Sequence, residues 1–271
     1  MIERNIHRIY FCTGSGMEYK LWLFMCLCIA SAIHFNKWYN FYLHTNMTED
    51  DNSYIKILKK MWCNIVMTYP PTEVFGNPIT IVQHQSDVVR LNVLKEYGWI
   101  YLDTDCFVVK SFDDLLDSEN FLWYEKKRKE RVGLAIIGAK KGSEFIDKRI
   151  SLYKDFQGYL YLWHDNYKKL DKEGRKKQLY YYIKSSIFDM MEILPNHDVK
   201  IYDYDYFYTP SNRFLDVNDF FFKTPEYKNA YCHHLWGSVH NKLFNKITTE
   251  QINKKNSYFN NIAREILWQL K

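Results

Sequence analysis

The segment Ile100-Tyr101-Leu102-Asp103-Thr104-Asp105-Cys106-Phe107-Val108-Val109 constrains this chain more than any other. An apolar run enters two carboxylates spaced i, i+2 and is apolar again after them. In an extended backbone, residues i and i+2 point to the same side. The spacing therefore predicts that Asp103 and Asp105 face one point at the end of a buried strand. Two hard oxygen donors converging there suit Mg²⁺ or Mn²⁺. In open α/β sheets the ligand crevice lies outside the carboxyl ends of the strands, which is where this pair would sit.

The elements around this segment alternate. Residues 6–12 read as a strand, 13–16 as a turn and 18–34 as a helix. Asn40 to Thr45 is a second strand. A helix is expected over 48–62, with Thr48 as N-cap and Glu49, Asp50 and Asp51 in its first turn. Ile65 to Met67 is a short third strand, and the loop at 69–80 carries Pro70, Pro71, Gly76 and Pro78. A helix from Ser86 to Tyr97 is stopped by Gly98. Gly133 to Lys141 reads as a strand and turn, and 143–183 is helical in tone. Strands alternating with helices predict an α/β fold with a parallel sheet and crossovers. Tyr202, Tyr204, Tyr206 and Tyr208 have strand periodicity, so their rings would share one face, as sheet packing or as a platform for an acceptor sugar.

Composition narrows the class. The 271 residues are enough for one large α/β domain, and 47% apolar content supplies its core. The aromatic fraction of 18% fills a core or lines a sugar or base site. A net charge of +5 fits a protein that handles phosphates and gives no reason to expect a nucleic-acid partner. The cysteines, Cys12, Cys26, Cys28, Cys63, Cys106 and Cys232, lack zinc-cage spacing and sit in apolar segments, so they read as buried thiols of a cytoplasmic protein. The apolar run Leu21 to Ile33 is shorter than the roughly 20 residues a bilayer-spanning helix needs. Ala30-Ser31-Ala32 resembles a signal-cleavage site, but a helix buried on all sides is the better account. The basic run Lys126 to Lys129 with Arg131 reads as a solvated loop, or as a contact for an anionic acceptor or a membrane surface.

A metal held by carboxylates at a strand end is suited to bridging a diphosphate and neutralising its charge as it leaves. Asp87 and Arg90 share an inward helical stripe with Leu94 and Tyr97, so they either pair in the core or look into a cleft. Far along the chain, Tyr231-Cys232-His233-His234-Leu235-Trp236-Gly237-Ser238 offers two imidazoles, an indole N–H and a hydroxyl. Either histidine would complete a metal shell.

These motifs, in this order, resemble the family-32 glycosyltransferases with a DxD motif. Ile6-His7-Arg8-Ile9-Tyr10 is similar to the family's opening strand, Ser86-Asp87-x-x-Arg90 to its SDxxR helix, and Gly98-x-Ile100-Tyr101-Leu102-Asp103-Thr104-Asp105 to its DxD strand. Gly138 to Gly142 looks like its middle segment, and His233-His234-x-x-Gly237-Ser238 like its close. The resemblance implies a single domain over 1–271 of the GT-A type, with a nucleotide-binding half to about residue 115 and an acceptor-side half beyond it. It implies a Mn²⁺ or Mg²⁺ cofactor, a nucleotide-sugar donor, a glycan acceptor and retention of anomeric configuration. Tyr10 would stack on the base. Asp87, Arg90, Tyr101 and Asp103 would hold the donor, and Trp236 and Ser238 would close over its diphosphate. Asp103, Asp105, His233 and His234 would hold the metal, and Asp103, Asp105 and Arg90 would carry catalysis. Three residues depart from the pattern: Tyr10 and Val239 replace tryptophans, and Trp99 replaces a glycine.

Two other classes remain open on the residues alone. A haloacid-dehalogenase-like phosphatase also places DxD at a strand end, with its first aspartate as nucleophile. That strand is normally the first of its domain, whereas here about 100 residues precede it. A non-catalytic glycan- or nucleotide-binding protein is the other class, and the full set Asp87, Arg90, Asp103 and Asp105 argues against it.

Overall fold

The computed structural model describes residues 2–12, 22–129, 131–156, 168–177 and 193–270. Its centre is a seven-stranded sheet. The strands are β1 (Asn5–Tyr10), β2 (Asn40–Thr45), β3 (Cys63–Met67), β6 (Trp99–Leu102), β8 (Asn120–Trp123), β9 (Ile136–Ala139) and β10 (Lys200–Tyr202). Their order is β10-β8-β9-β6-β1-β2-β3. β6, β1, β2 and β3 run parallel, and β9 lies antiparallel to both β6 and β8. A small hairpin, β4 (Glu73–Val74) with β5 (Asn77–Pro78), decorates the predicted proline loop.

Strand alternation sorts the side chains into two cores. Ile6, Ile100, Leu102, Phe121, Trp123 and Ile136 face one side, where they meet α1 (Leu23–Phe35) and the C-terminal helix Tyr258–Leu267. Ile9, Tyr101, Leu122 and Ile137 face the other side, against α3 (Val82–Tyr97) and α4 (Glu144–Ser151). Both faces are therefore covered, as parallel strands require. Phe24 to Ala32 of α1 are all buried, so the apolar run is a core helix. Among the described residues no helix is long and apolar enough to cross a membrane.

Several boundaries differ from expectation. The helix expected over 48–62 is α2, Ser53–Lys60, and its N-cap is Asn52, whose side chain accepts from the Tyr54 N–H. Thr48 instead donates to Asp51 through both its backbone N–H and its hydroxyl, which closes a turn ahead of the helix. α3 begins four residues before Ser86. The tyrosine-rich segment is not one strand. β10 ends at Tyr202 and a 3₁₀ turn spans Tyr204–Tyr206, so the four rings do not share a face. The expected turn at 13–16, the helix start at 18 and parts of the helical stretch at 143–183 lie outside the described residues.

At the end of α3, Gly98 takes φ 76°, and a Cβ there would lie 2.4 Å from the Lys141 nitrogen. Trp99 follows at φ 83°, a left-handed conformation that is an outlier for so bulky a residue. It is held by stacking on His7, with ring centroids 4.7 Å apart and planes 3° apart, and by an indole N–H donated to Glu3 at 2.8 Å. Tryptophan at this position thus has a strained backbone anchored by a ring stack.

His7 and His44 sit side by side on β1 and β2, with Nδ1 and Nε2 2.9 Å apart. Burial, reinforced by His44, pushes His7 down to about 3, and burial pushes His44 down to about 4. Between the ordinary histidine value and these values, the unfolded chain binds protons that the folded chain refuses. Stability therefore rises with pH in that window and is lost as pH falls from about 6.5 toward 4. Urea midpoints should drop between pH 7 and pH 5, as the unfolding free energy falls by up to about 1.4 kcal/mol per histidine per pH unit. In His7→Gln the drop should be smaller. A pH-independent midpoint over this range would contradict the assignment.

Candidate active site

The turn after β6 carries the site. Asp103 and Asp105 do not lie on a continuous strand: β6 ends at Leu102, and β7 (Cys106–Val108) pairs instead with β11 (Cys232–His234). Asp103 to Cys106 form a turn closed by the Cys106 N–H donating to the Asp103 carbonyl at 3.1 Å. The two carboxylates converge because the chain turns, not because extended residues alternate.

Asp103 is gripped from both faces of the sheet. On the α1 face, the buried Arg8 guanidinium donates to the carbonyls of Asp103 at 2.7 Å, Cys106 at 3.0 Å and Cys28 at 3.0 Å. On the α3 face, the Tyr101 hydroxyl donates to Asp103 Oδ1 at 2.6 Å. Arg90 lies 3.4 Å from the same oxygen and 2.5 Å from Asp87 Oδ1, donates to the Leu134 carbonyl, and stacks its guanidinium 4.3 Å from the Tyr101 ring centre. Burial works against the Arg90 charge, but Tyr101, Asp87 and Asp103 outweigh it and hold its pKa well above the ordinary value. Burial raises the Asp103 pKa, and Arg90 opposes that shift. Asp87 and Arg90 thus both pair with each other and look into the cleft.

Asp105 turns toward the C-terminal segment. Its Oδ2 accepts from the Gly237 N–H at 2.5 Å. A Cβ at 237 would lie 3.0 Å from that oxygen, so a larger residue would press on the carboxylate. The Leu235 N–H donates to the Asp105 carbonyl at 3.2 Å. Pairing of β11 with β7 sets His234 opposite Cys106, which puts its Nε2 3.6 Å from Asp105 and 3.9 Å from Asp103. Asp103, Asp105 and His234 offer ligand atoms that all lie within 4.8 Å of one another. Nδ1 of His234 is buried without a hydrogen-bond partner. Two carboxylates and an imidazole in one cluster fit a divalent cation such as Mn²⁺ or Mg²⁺.

His233, expected with His234 as a ligand, does not join this cluster. Successive strand residues point oppositely, and His233 is fully buried on the far side. Its Nδ1 meets the Thr209 carbonyl and its Nε2 meets the Tyr258 hydroxyl at 3.0 Å. Burial lowers its pKa to about 4. It is a neutral structural histidine.

The cluster opens into a cavity of about 670 Å³. Tyr10, Asp87, Arg90, Tyr101, Asp103, Asp105, His234, Trp236 and Ser238 all line it, although Tyr10 and Ser238 are 228 positions apart in the chain. Val239, where the family pattern has tryptophan, lines it too and is exposed. The remaining wall brings in Arg131 from beside the basic run and Tyr208 from the tyrosine-rich segment, and adds two residues that the sequence did not flag, Glu125 and Arg149. The Glu125 carboxyl pairs with Arg131, and its pKa is raised by burial against that arginine's pull. Tyr208 accepts the Ala135 N–H at 3.2 Å and sets its ring edge-on to His234. The basic run beside this wall is exposed, and its Lys129 pairs with Asp203 at 2.6 Å.

Residues 26–122 match the model described as the glycosyltransferase sugar-binding region containing a DXD motif. The expected resemblance to DXD glycosyltransferases is therefore found. The chain is 26% identical to glucan organizing enzyme 1 of Cryptococcus neoformans var. grubii over 216 residues, which cover 75% of this chain and 53% of that protein. It thus spans about half the length of that curated relative. Among solved structures it is similar to the glycosyltransferase GlyE of Streptococcus pneumoniae TIGR4, with TM-score 0.51 and 13% identity over 99% of this chain and 63% of that one. It also aligns with the galactosyltransferase LgtC in complex with donor and acceptor sugar analogues, with TM-score 0.48 and 14% identity over 90% and 96% of the two chains. The fold is the expected GT-A type, a mostly parallel sheet flanked by helices.

Asp105→Asn keeps an oxygen for the Gly237 N–H and removes a charge from the cluster. We expect Mn²⁺ binding, read by calorimetry, to weaken at least tenfold with the melting temperature nearly unchanged. Arg8→Met leaves three buried carbonyls without their donor and should cost about 2–4 kcal/mol of stability, measured by urea unfolding. An Arg8→Met protein as stable as the parent would show that the clamp is not structural.

Proposed function

We propose that the protein is a metal-dependent glycosyltransferase that moves a sugar from a nucleotide-sugar donor to a glycan acceptor. UDP-sugars are the first choice of donor and GDP-mannose the second. One observation supports this reading above the others: Asp103, Asp105 and His234 converge in the same cavity as the Asp87–Arg90 pair and the Tyr10 ring.

Asp103, Asp105 and His234 would hold Mn²⁺ or Mg²⁺. When bound, such an ion supplies positive charge that stabilises a departing diphosphate. The chain's own residues do the rest. Tyr10 offers a ring face on which a base can stack, and base–aromatic stacking contributes about 1–3 kcal/mol. Arg90 is held by Asp87, Asp103 and Tyr101, so its planar fork is fixed before substrate arrives and loses little entropy on binding. Trp236, whose buried indole N–H has no hydrogen-bond partner, and Ser238 lie where the segment after β11 closes over the cavity. Glu125 and Tyr208 form the wall toward which an acceptor would bind. Retention of configuration is part of the proposal on the family resemblance, and NMR of the anomeric proton of the product reads it. The six free cysteines, five of them buried, support a cytoplasmic setting.

The phosphatase reading is less favoured by the same geometry. Its nucleophile would be Asp103, but Tyr101 and Arg90 already engage the Asp103 carboxylate, and the motif follows the fourth strand of the parallel set. The decisive assay pairs a panel of UDP- and GDP-sugars with Mn²⁺ and measures released nucleotide diphosphate and thermal shift. A donor at 100 times its Kd should stabilise the protein by about 2.7 kcal/mol. Phosphate-ester turnover with no donor-induced shift would refute the transferase reading.

Arg90→Lys tests the fork. Lysine keeps the charge but cannot hold Asp87, Asp103 and the Leu134 carbonyl together while stacking on Tyr101. Turnover should fall at least 100-fold while the melting temperature moves by a few degrees. Normal turnover in a strongly destabilised variant would make Arg90 structural only.

A further inference from the structure

A second recess, of about 710 Å³, lies at the outer edge of the sheet and shares no lining residue with the cavity at Asp103. Edge strand β3, the start of β2 and α2 bound it. Its volume is within the range of small-molecule and cofactor sites.

Trp62 stands at its rim with 88% of its surface exposed. It occupies the position just past the C-cap of α2, at φ 66°. Glycine normally takes that left-handed position, because it has no Cβ to clash. Tryptophan there is costly twice, once in backbone strain and once in apolar surface left in water, and burial offsets neither. Strain of this kind persists where structure holds it and clusters at ligand sites.

The surroundings specify the ligand. Asn40 brings an amide whose Nδ2 donates to Asn5 Oδ1 at 2.7 Å, Asn64 a second amide, Thr48 a hydroxyl that donates to Asp51, and Glu49 a carboxylate paired with Lys59 at 2.6 Å. Asn64 is fixed by its Nδ2 bond to the Phe41 carbonyl at 3.1 Å. A flat, exposed indole beside amide oxygens and a neutralised carboxylate suits a neutral oligosaccharide, with C–H faces on the ring and hydroxyls donating to the amide oxygens. An anionic membrane suits this edge less well. Lys59, the cation in its lining, is already paired with Glu49.

We propose that this recess binds a neutral oligosaccharide and is a second, non-catalytic site for a glycan acceptor of several sugar units. Its role as an acceptor site rests on the transferase reading above; the binding itself does not.

Calorimetry with maltohexaose, laminarihexaose and xylohexaose, without donor or metal, tests it. The protein should bind at least one of the three. Trp62→Gly should weaken that binding at least tenfold, leave the melting temperature unchanged or higher, and leave transfer to a monosaccharide acceptor unchanged. Trp62→Tyr, which keeps a ring face, should retain part of the binding. Binding to no hexasaccharide, or equal binding by Trp62→Gly, overturns the proposal. So does a Trp62-dependent association with phosphatidylserine vesicles, or with a second copy of the chain, in place of glycan binding. A protein that binds oligosaccharide through Trp62 but transfers no sugar from any donor would sink the transferase reading and leave the recess as a glycan site.

Discussion

The buried guanidinium of Arg8 is the contact on which the rest of the site depends. It lies on β1, an interior strand of the parallel set, and reaches the carbonyls of Cys28 in α1 and of Asp103 and Cys106 in the turn. One side chain thereby ties β1, the core helix and both ends of the DxD turn into a single unit. A planar fork with five N–H donors can satisfy three carbonyls at once, which the single ammonium of a lysine does less well. Because those bonds go to backbone, the turn keeps its shape whatever the protonation or ligation of the two carboxylates.

With the backbone fixed from one face, the opposite face sets the carboxylate. Tyr101 points to the α3 side because it alternates with Ile100 and Leu102, which face α1. That alternation lets Tyr101 meet both Asp103 and Arg90. The sheet thus divides the work: one face supplies the support for the turn, and the other supplies charge and hydrogen bonds to its side chain. Asp105 is left to the C-terminal segment, through Gly237 and His234. Preorganisation of this kind makes electrostatic stabilisation effective, since the dipoles need not reorganise during reaction.

Much of this was legible in the sequence, and the limits have physical causes. Element types along the first 110 residues followed from apolar patterning and turn residues, and the Asp87–Arg90 stripe followed from helical spacing. The convergence of Asp103 and Asp105 was expected, but for a different geometric reason, because i, i+2 spacing does not distinguish a strand from a tight turn. Adjacent histidines cannot be told apart by composition. Only the pairing of β11 with β7 decides that His234 faces the carboxylates and His233 faces Tyr258. Thr48 failed as a cap because Asn52, four residues on, competes for the same role. Arg8 went unflagged since a lone charge in an apolar strand carries no local signal, and Glu125 since it abuts a basic run that reads as solvated. Their partners lie 20 to 98 and 6 positions away.

The tyrosine-rich segment shows how tertiary context overrides period. Tyr202 to Tyr208 alternate as a strand would, yet the chain leaves the sheet after Tyr202 and turns through a 3₁₀ segment. The turn brings Phe207 under Trp123, with centroids 3.9 Å apart, and stacks Tyr206 on Tyr231. Tyr208 is thereby delivered to the cavity wall, against His234 and Trp236. A continuous strand would have kept all four rings on one face and left that wall open. The stack from Trp123 through Phe207 to Tyr231 also fixes the approach to β11, since Tyr231 immediately precedes it. The aromatic excess therefore does structural work that reaches the site: it anchors the segment that carries His234, and the position of His234 turns a pair of aspartates into a three-ligand cluster.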